Sequence, residues 1–337
     1  MSVTFLGHGP AVTVQDMGRP GLIADGLSRG GAMDRLALLE ATALLQSQGI
    51  LPALEIAGFG GRFRFDIDTR IALTGAPMVA TLNGQGLAWN QTHHIPKGAE
   101  LELGACKSGS YGYLTFAGGM QTPLHLGSQA THLMAGIGCN LVPGDRLPIG
   151  PDPDLGAPQL GLTVDQRTEG GVLHVVAGPQ TDLFDDATRT AFFGATFTKS
   201  NRANRQGVGF DHPDLKFTSS VAAGLASDFI MQGDIQQTGD GVPYVLMAEC
   251  QTMGGYPRIG TAIPADLPKL AQAQPGKSFS FKLISHEEAE ARQKSEAEVL
   301  KALRGQVAPV VRNPADMGDL LSYQLISGIT AGDDLEG

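Results

Sequence analysis

Short alternating runs of apolar and polar residues dominate the first third of the chain. Between positions 54 and 103 the apolar period is two, which is typical of β-strands with one face buried and the other in water. The dipeptide Asn83-Gly84 separates two such runs and predicts a tight hairpin turn. Strands spaced this closely, with little helix between them, predict an antiparallel barrel or sandwich and argue against a parallel, doubly wound sheet. The alternating positions are Leu54 and Ile56, Phe63 and Phe65, Ile71 and Leu73, and later Tyr111, Tyr113 and Thr115.

Helical patterns are few and short. Asp34 is placed to accept a hydrogen bond from a free N–H group at the start of a helix. The segment from Ala265 to Ala273 predicts a second short helix. Ser285 and Glu288 form a capping-box pattern, which predicts a charged helix with a solvated face from there to about position 303.

Proline and glycine interrupt the chain heavily between positions 148 and 172, which predicts a domain boundary. We therefore expect a first subdomain over residues 1–160 and a second over residues 161–305. A C-terminal tail over residues 306–337 receives no role from its pattern.

Composition limits the class of protein. The chain has 337 residues with 46 Gly and 20 Pro, long enough for two domains of ~150 residues each. A formal net charge of −10 argues against nucleic acid or an anionic membrane as the main partner. Three cysteines without a Cys-x-x-Cys pair fit a reducing compartment. Because no apolar run approaches the ~20 residues of a membrane helix and no signal-peptide pattern is seen, we expect a cytoplasmic protein.

The stretch from Glu249 to Gly260 concentrates the candidate chemistry. It follows an apolar run, so a buried strand would bring an acid, an amide and a hydroxyl to one place, followed by two glycines. Glycines let backbone N–H groups approach a ligand closely and tolerate positive φ. An ordinary strand and tight turn would explain the same residues. The candidates are Glu249, Gln251, Thr252, Gly254, Gly255 and Tyr256.

Two earlier loops carry further polar candidates. Asp16 and Arg19 either pair and stiffen their own loop or face a polar ligand. The glycine-rich segment that leads from Arg29 to Asp34 has the form of an anion site, because a helix N-terminus favours negative charge. Ser128 is not part of a Gly-x-Ser-x-Gly nucleophile motif, so we interpret it as a binding or structural hydroxyl.

Later candidates are fewer. Arg202, in the most basic cluster of the chain, suits bidentate binding of a carboxylate or phosphate. Gln236 lies just upstream of the candidate stretch and is expected to share its ligand. Cys250 is interpreted as a small buried hydrophobe rather than a nucleophile. His93 and His94 are expected on a solvated hairpin surface, since no further ligand stands at metal-binding spacing.

Several separated motifs, taken together and in order, resemble the biotin-dependent carboxyltransferase family. This family includes the transferase part of urea carboxylase, allophanate hydrolase subunit 2 and the C subunit of bacterial 5-oxoprolinase. The resemblance runs from about Phe5 to about Phe281 and implies two cyclophilin-like antiparallel β-barrel subdomains with a few short helices. The sequence departs from the family's Ser-Asp-Arg-Met-Gly at Asn201 and Asn204, and Asn204 is expected to keep a positive φ. The motifs are Thr13-Val14-Gln15-Asp16-Met17-Gly18-Arg19-Pro20-Gly21, Gly31-Ala32-Met33-Asp34, Gly178-Pro179-Gln180 and Gly254-Gly255-Tyr256-Pro257-Arg258-Ile259-Gly260.

The resemblance implies a member of an ATP-dependent complex that opens 5-oxo-L-proline to L-glutamate. The implied partners are a KipI-like B subunit and a LamB/YcsF-like A subunit. The chain has no Met-Lys pair, hence no usual biotin attachment site, no Gly-rich ATP loop, and no Gly-Gly-Ser-Ser amidase signature around Ser219-Ser220. ATP is therefore expected in the assembled complex, with no covalent biotin and no metal on this chain. Two alternatives stay open: a carboxyltransferase that moves CO2 from a partner's carboxybiotin to a urea-like amide, and a non-catalytic regulatory module that binds a KipI-like sensor-kinase inhibitor.

Overall fold

The computed structural model describes residues 1–7, 9–214 and 225–311, and these form a mainly β protein with five short α-helices. The helices are α1 Arg35–Leu44, α2 Asp186–Gly194, α3 Leu267–Gln272, α4 His286–Arg292 and α5 Glu296–Arg304. The first strands are β1 Ser2–Gly7, β2 Val12–Gln15, β3 Ala53–Ala57, β4 Arg62–Phe65, β5 Thr69–Gly75, β6 Met78–Leu82, β7 Gln85–Gly86, β8 Gln91–Ile95, β9 Glu100–Cys106, β10 Tyr111–Phe116, β11 Arg146–Pro148 and β12 Leu160–Gly161. The remaining strands are β13 Gly171–Val176, β14 Thr196–Ala203, β15 Gly207–Asp211, β16 Asp228–Phe229, β17 Asp234–Gln237, β18 Pro243–Leu246, β19 Met253–Gly254, β20 Arg258–Ala262, β21 Ser278–Leu283 and β22 Ala308–Pro309.

The N-terminal half consists of two antiparallel sheets with a shared apolar core. One sheet has the strand order β11-β1-β4-β9-β6-β7, and the other has the order β2-β3-β10-β5-β8-β12-β22. Strand β4 alternates as predicted, with Phe63 and Phe65 buried between exposed neighbours. The expectation of half-buried strands is wrong for β3 and β5, in which Glu55 and Thr74 are buried as well. Helix α1 packs on β5, and Thr74 donates to a carbonyl of that helix, so this sheet face is also covered.

The C-terminal half closes into a barrel with the strand order β13-β20-β17-β18-β15-β14-β21. Every pair in this barrel is antiparallel except β13 with β21, which run parallel. Aromatic rings fill its core: Phe197 and Phe281 lie 5.3 Å apart, and Phe210 and Phe281 lie 5.2 Å apart, both in edge-on geometry. The predicted mainly β, antiparallel fold is confirmed.

Local turn and cap patterns are confirmed in detail. Asn83 and Gly84 both have positive φ, 48° and 84°, and connect β6 to β7. Asp34 caps α1 by accepting from the backbone N–H of Ala37. The Ser285 capping box is present, but α4 ends at Arg292. The single helix predicted to about position 303 is two helices, because a second capping box starts α5 at residue 295.

The prediction of a solvated surface for the histidine pair is wrong for His93. This side chain is buried in strand β8 and its Nε2 lies 2.7 Å from the carbonyl oxygen of Ala88. Burial lowers its pKa. His94 points the other way and is exposed, so the alternation of the strand separates the two rings.

The sheets divide along the chain near the predicted boundary. Strands up to residue 161 form the two N-terminal sheets, strands from residue 171 to 283 form the barrel and a small ribbon, and the division into domains stays a prediction. Strand β22 returns to pair with β12 in the first half. Residues 312–337 of the predicted tail, and Ser219-Ser220, lie outside the described residues. Within the described ranges, no helix is long and apolar enough to cross a membrane.

Candidate functional site

Arg205 joins the two halves of the molecule through a buried ion pair with Glu55 and a hydrogen bond to Gly31, and it also pairs with Glu249 of its own half. Its Nε donates to Oε1 of Glu249 at 2.5 Å, and its Nη1 donates to Oε1 of Glu55 in strand β3. Its Nη2 donates to the carbonyl oxygen of Gly31 at 2.7 Å. Both carboxylates are almost fully buried, and their charges raise the pKa of Arg205 against the cost of burial. Glu249 is thus held inside the protein rather than presented to a ligand.

Asp34 belongs to a second buried network. Its Oδ2 accepts from Nε of Arg167 at 2.7 Å and from the side-chain amide of Gln272, also at 2.7 Å. Arg167 in turn holds Glu40 through two hydrogen bonds of 2.7 and 2.8 Å. Asp34 therefore caps helix α1 and ties it to α3, and all of its described contacts are within the protein.

Asp16, Arg19 and Ser128 shape the loop after β2. Asp16 accepts from the Ser128 hydroxyl at 2.6 Å and from the backbone N–H groups of Gly18 and Gln129. Arg19 is 2% exposed and donates to the carbonyls of residues 125 and 130, and its burial lowers its pKa. Among the contacts of the described residues, Asp16 and Arg19 form no hydrogen-bonded pair with each other, so each anchors the loop separately.

A cavity lined by several of the predicted site residues lies on the outer face of the barrel. It has a volume of about 520 Å³ and is lined by strands β14, β15, β17 and β18. Ile235 and Val245 point into the barrel core, so their neighbours Gln236 and Tyr244 point outward into this cavity. The β16–β19 ribbon stands beside it, and Ile230 and Tyr256 form part of its wall.

Gln236 carries an unused hydrogen-bond donor at the base of this cavity. Its Nε2 is buried and has no hydrogen-bond partner among the described residues. A buried amide left without an acceptor costs about 1–3 kcal/mol. Gly254 faces the same amide: a Cβ at this position would lie 2.8 Å from Nε2. Because Gly254 has no side chain, the side-chain amide of Gln236 can pack directly against it.

Arg202 provides the positive charge at the mouth of the cavity. Its guanidinium lies 3.2 Å from Asp211 and 3.4 Å from Asp240, and it is 5.7 Å from the centre of the Tyr244 ring. The Arg202 side chain is 48% exposed, and both carboxylates are more than half exposed. Exposed pairs of this kind contribute ~1 kcal/mol or less, so a ligand carboxylate can compete for the guanidinium.

Four of the predicted site residues thus line one cavity, namely Arg202, Gln236, Gln251 and Tyr256. Thr252 is buried behind the ribbon, where its carbonyl accepts from the N–H of Ile230 at 3.0 Å. Gly255 adjoins Ser227 rather than the base of the cavity. Asp16, Arg19, Asp34, Ser128 and Glu249 lie in the buried networks described above, and Arg29 lines a different cavity.

The expected positive φ at Asn204 is wrong, and the two glycines Gly254 and Gly255 do not use the left-handed conformation that glycine tolerates. Gly254 instead belongs to strand β19, where close packing against Gln236 requires glycine. Asn204 turns the chain with its side chain, which accepts from the N–H of Gln206 at 2.8 Å.

Sequence reasoning missed Tyr244, Thr238 and Gln206 as cavity residues. The only signal for Tyr244 was its alternation with Val245, which places it on the outer face of a barrel strand. Cys250 is buried as predicted, and burial raises its pKa to about 12, so its thiol is not activated as a nucleophile. The described part of the chain contains no group of three or more His, Cys, Asp or Glu side chains arranged to hold a metal ion.

The chain belongs to the carboxyltransferase family, because the family model described as carboxyltransferase domain, subdomain A and B, matches residues 25–283. The family resemblance inferred from the motifs is confirmed by this match.

Individual relatives show which members of the family this chain resembles. The chain is 36% identical over 285 residues to a protein of Escherichia coli (strain K12) named as the C subunit of 5-oxoprolinase, and the match covers 83% of this chain and 91% of that protein. It is 26% identical over 319 residues to the urea amidolyase of Saccharomyces cerevisiae, covering 88% of this chain but 17% of the amidolyase. The crystal structure of the K. lactis urea amidolyase superposes with a TM-score of 0.80 at 24% identity, over 93% of this chain and 21% of that one. This last likeness concerns the fold alone.

Proposed function

We propose that this chain is one member of an ATP-dependent 5-oxoprolinase complex, which opens 5-oxo-L-proline to L-glutamate. The observation that carries the proposal is the 36% identity to the C subunit of a 5-oxoprolinase over 91% of that relative's length. Almost the whole of that relative therefore has a counterpart in this chain. The urea amidolyase, by contrast, is matched over 17% of its length.

The chemistry of the cavity supports a small cyclic amide with a carboxylate. The free Nε2 of Gln236 would donate to the lactam carbonyl, and Arg202 at the mouth would receive the carboxylate. Tyr244 and Tyr256 line the same space and offer flat faces to the ring. Donor, cation and aromatic surfaces therefore stand at separate points of one cavity, which is what orientation of such a substrate requires.

Opening the lactam needs stabilisation of charge that develops on the carbonyl oxygen. We assign this role to Gln251, which lines the cavity; Thr252 and Gly255, predicted for the same role, do not line it. ATP in the assembled complex would supply the driving force. Of the predicted anion-binding arginines, Arg202 is the one at this cavity, whereas Arg19 is engaged with backbone carbonyls.

The proposed complex contains a KipI-like B subunit and a LamB/YcsF-like A subunit, in the cytoplasm, with this chain inactive alone and without covalent biotin. The test combines the three purified proteins with ATP and 5-oxo-L-proline and measures L-glutamate release. We expect turnover with all three proteins and none with this chain alone. Undiminished turnover when this chain is omitted would refute the proposal.

The second candidate function is transfer of CO2 from carboxybiotin to a urea-like amide, favoured by the match to a urea amidolyase over 88% of this chain. It predicts a biotinylated partner and activity that avidin abolishes, whereas the oxoprolinase reaction is indifferent to avidin. A purely regulatory module would bind the KipI-like partner tightly and support no turnover in any combination. Glutamate release that avidin does not change supports the oxoprolinase. Carboxylation of urea that avidin abolishes, measured with a biotinylated partner present, supports CO2 transfer, and no turnover in either assay supports the regulatory module.

A further inference from the structure

A basic groove lies beside the substrate cavity and is not used by the proposed reaction. It consists of two adjoining cavities of about 250 and 380 Å³, which share Arg29, Arg35, Pro264 and Pro268 in their walls. The groove runs between the start of helix α1, helix α3 and the turn that connects α4 to α5. Among the described residues, Ile230 lines both this groove and the 520 Å³ cavity and so separates the two.

Arg35 is the central cation of this groove and lacks a carboxylate partner among the described residues. Its Nη2 donates to the carbonyl of Gly30 and to the side-chain oxygen of Gln232, both at 3.1 Å and both neutral. Its Nε is buried and has no hydrogen-bond partner within the part of the chain that the structure describes. A guanidinium held this way leaves one directed donor and one positive charge uncompensated.

Other interior arginines are treated differently by this fold. Four of them, Arg70, Arg167, Arg205 and Arg258, each contact at least one carboxylate. Pairing a buried guanidinium with an anion is thus the usual solution in this molecule, as expected from the cost of burying a charge. Arg19 and Arg35 depart from this pattern: Arg19 donates to the backbone carbonyls of residues 125 and 130, whereas Arg35 lines two cavities and has no described carboxylate partner there.

The neighbours of Arg35 add positive rather than negative charge. Arg29 shares both cavities, and Arg292 and Lys294 line the larger one. The acid on this side is Glu296, which contacts Arg29 at 3.3 Å and is 49% exposed, so it screens the groove only weakly. Burial first, and then repulsion from Arg29, lowers the pKa of Arg35 to about 10. The protein has a formal net charge of −10, so this concentration of cations is local.

We propose that this groove is a binding site for an oxyanion, with the Nε–H of Arg35 and the guanidinium of Arg29 as its central donors and Arg292 and Lys294 at its outer end. Phosphate and carboxylate groups share the chemistry that such donors recognise. Cations spread over two joined cavities favour a ligand with more than one anionic group. The outer end is built by the segment between helices α4 and α5, beyond position 283, where the match to the family model ends. The site does not depend on the proposed function.

The test measures binding of pyrophosphate, ATP and citrate to the full chain by titration calorimetry at low ionic strength. We expect saturable binding of at least one of these probes, with phosphate or carboxylate as the source told apart by which probe binds. Arg35→Gln should weaken it about 10- to 100-fold, the equivalent of losing a charged hydrogen bond. Because Arg35 is partly structural, the surface double variant Arg292→Gln with Lys294→Gln provides a second measurement and should weaken binding about 3- to 10-fold.

The matched control is Lys301→Gln, which removes one exposed lysine from helix α5 outside the groove and should leave affinity unchanged. Absence of saturable binding by all three probes would overturn the proposal. So would equal affinities for the native chain, Arg35→Gln and the double variant.

Discussion

Replacing Arg205 by Met should cost far more stability than the same replacement of an arginine at the surface. The change leaves Glu55 and Glu249 buried without their cation and removes the hydrogen bond to the Gly31 carbonyl. Both carboxylates are 3% exposed or less. Breaking a buried ion pair from one side costs about 3–5 kcal/mol, because the remaining charge is left uncompensated. Against a typical unfolding free energy of about 5–15 kcal/mol, this loss is large.

The measurement is the free energy of unfolding by urea for the native chain, Arg205→Met and a matched control. Arg189→Met is suited as the control, because Arg189 pairs with Asp182 and Asp186, whose side chains are 93% and 92% exposed. Exposed pairs contribute about 1 kcal/mol or less, so the control should be nearly neutral. A loss below about 1.5 kcal/mol for Arg205→Met, or one equal to that of the control, would refute the reasoning that this residue joins the two halves.

Three further predictions follow from single positions. Gly254→Ala should raise the KM for substrate in the reconstituted complex several-fold, because its Cβ would come 2.8 Å from the buried side-chain nitrogen of Gln236. The control Gly255→Ala should behave as native, because its Cβ meets no described atom closer than 3.6 Å. Equal kinetics of the two variants would contradict this prediction. Burial lowers the pKa of Lys199 from 10.5 to about 8, so between these values the unfolded chain binds more protons and stability rises with pH. The native chain should therefore gain about 2 kcal/mol relative to Lys199→Met between pH 7.5 and 9.5 in urea unfolding, and a constant difference would be incompatible with the shift. An aromatic disulfide reagent at pH 8 should modify the exposed Cys139 rapidly. It should modify Cys250 only after unfolding, because this thiol is buried and its burial raises its pKa to about 12. Fast reaction of both cysteines in the folded protein would disprove the burial of Cys250.

Features set by a few consecutive residues were predictable from the sequence. The cap at Asp34, the capping box at Ser285 and the turn at Asn83-Gly84 depend on hydrogen bonds or dihedral preferences within four positions. The same locality explains why alternation predicts the antiparallel strands. The helix predicted to run past Arg292 is wrong for a local reason too, since Ser295 and Glu298 carry a second capping-box pattern that divides it.

Features set by distant contacts were not predictable in this way. The two carboxylates of Arg205 lie 44 and 150 positions away in the chain, and no local pattern links them. Glu249 and Gln251 were expected at one spot, yet the chain turns between them, so that the acid enters the interior and the amide lines the cavity. Burial on both faces of β3 likewise follows from distant contacts, since Glu55 accepts from Met33 and Tyr113 as well as from Arg205.

Gln236 is the residue that we propose to bind the substrate carbonyl. The decisive measurement is kcat/KM for L-glutamate release from 5-oxo-L-proline by the three-protein mixture, with Gln236→Leu compared with the native chain. We predict a 10- to 100-fold fall, the equivalent of one lost hydrogen bond in a buried site, with the unfolding free energy changed by about 1 kcal/mol or less. Equal kcat/KM values for the native chain and a folded Gln236→Leu variant would contradict the proposed role of Gln236 in binding the substrate.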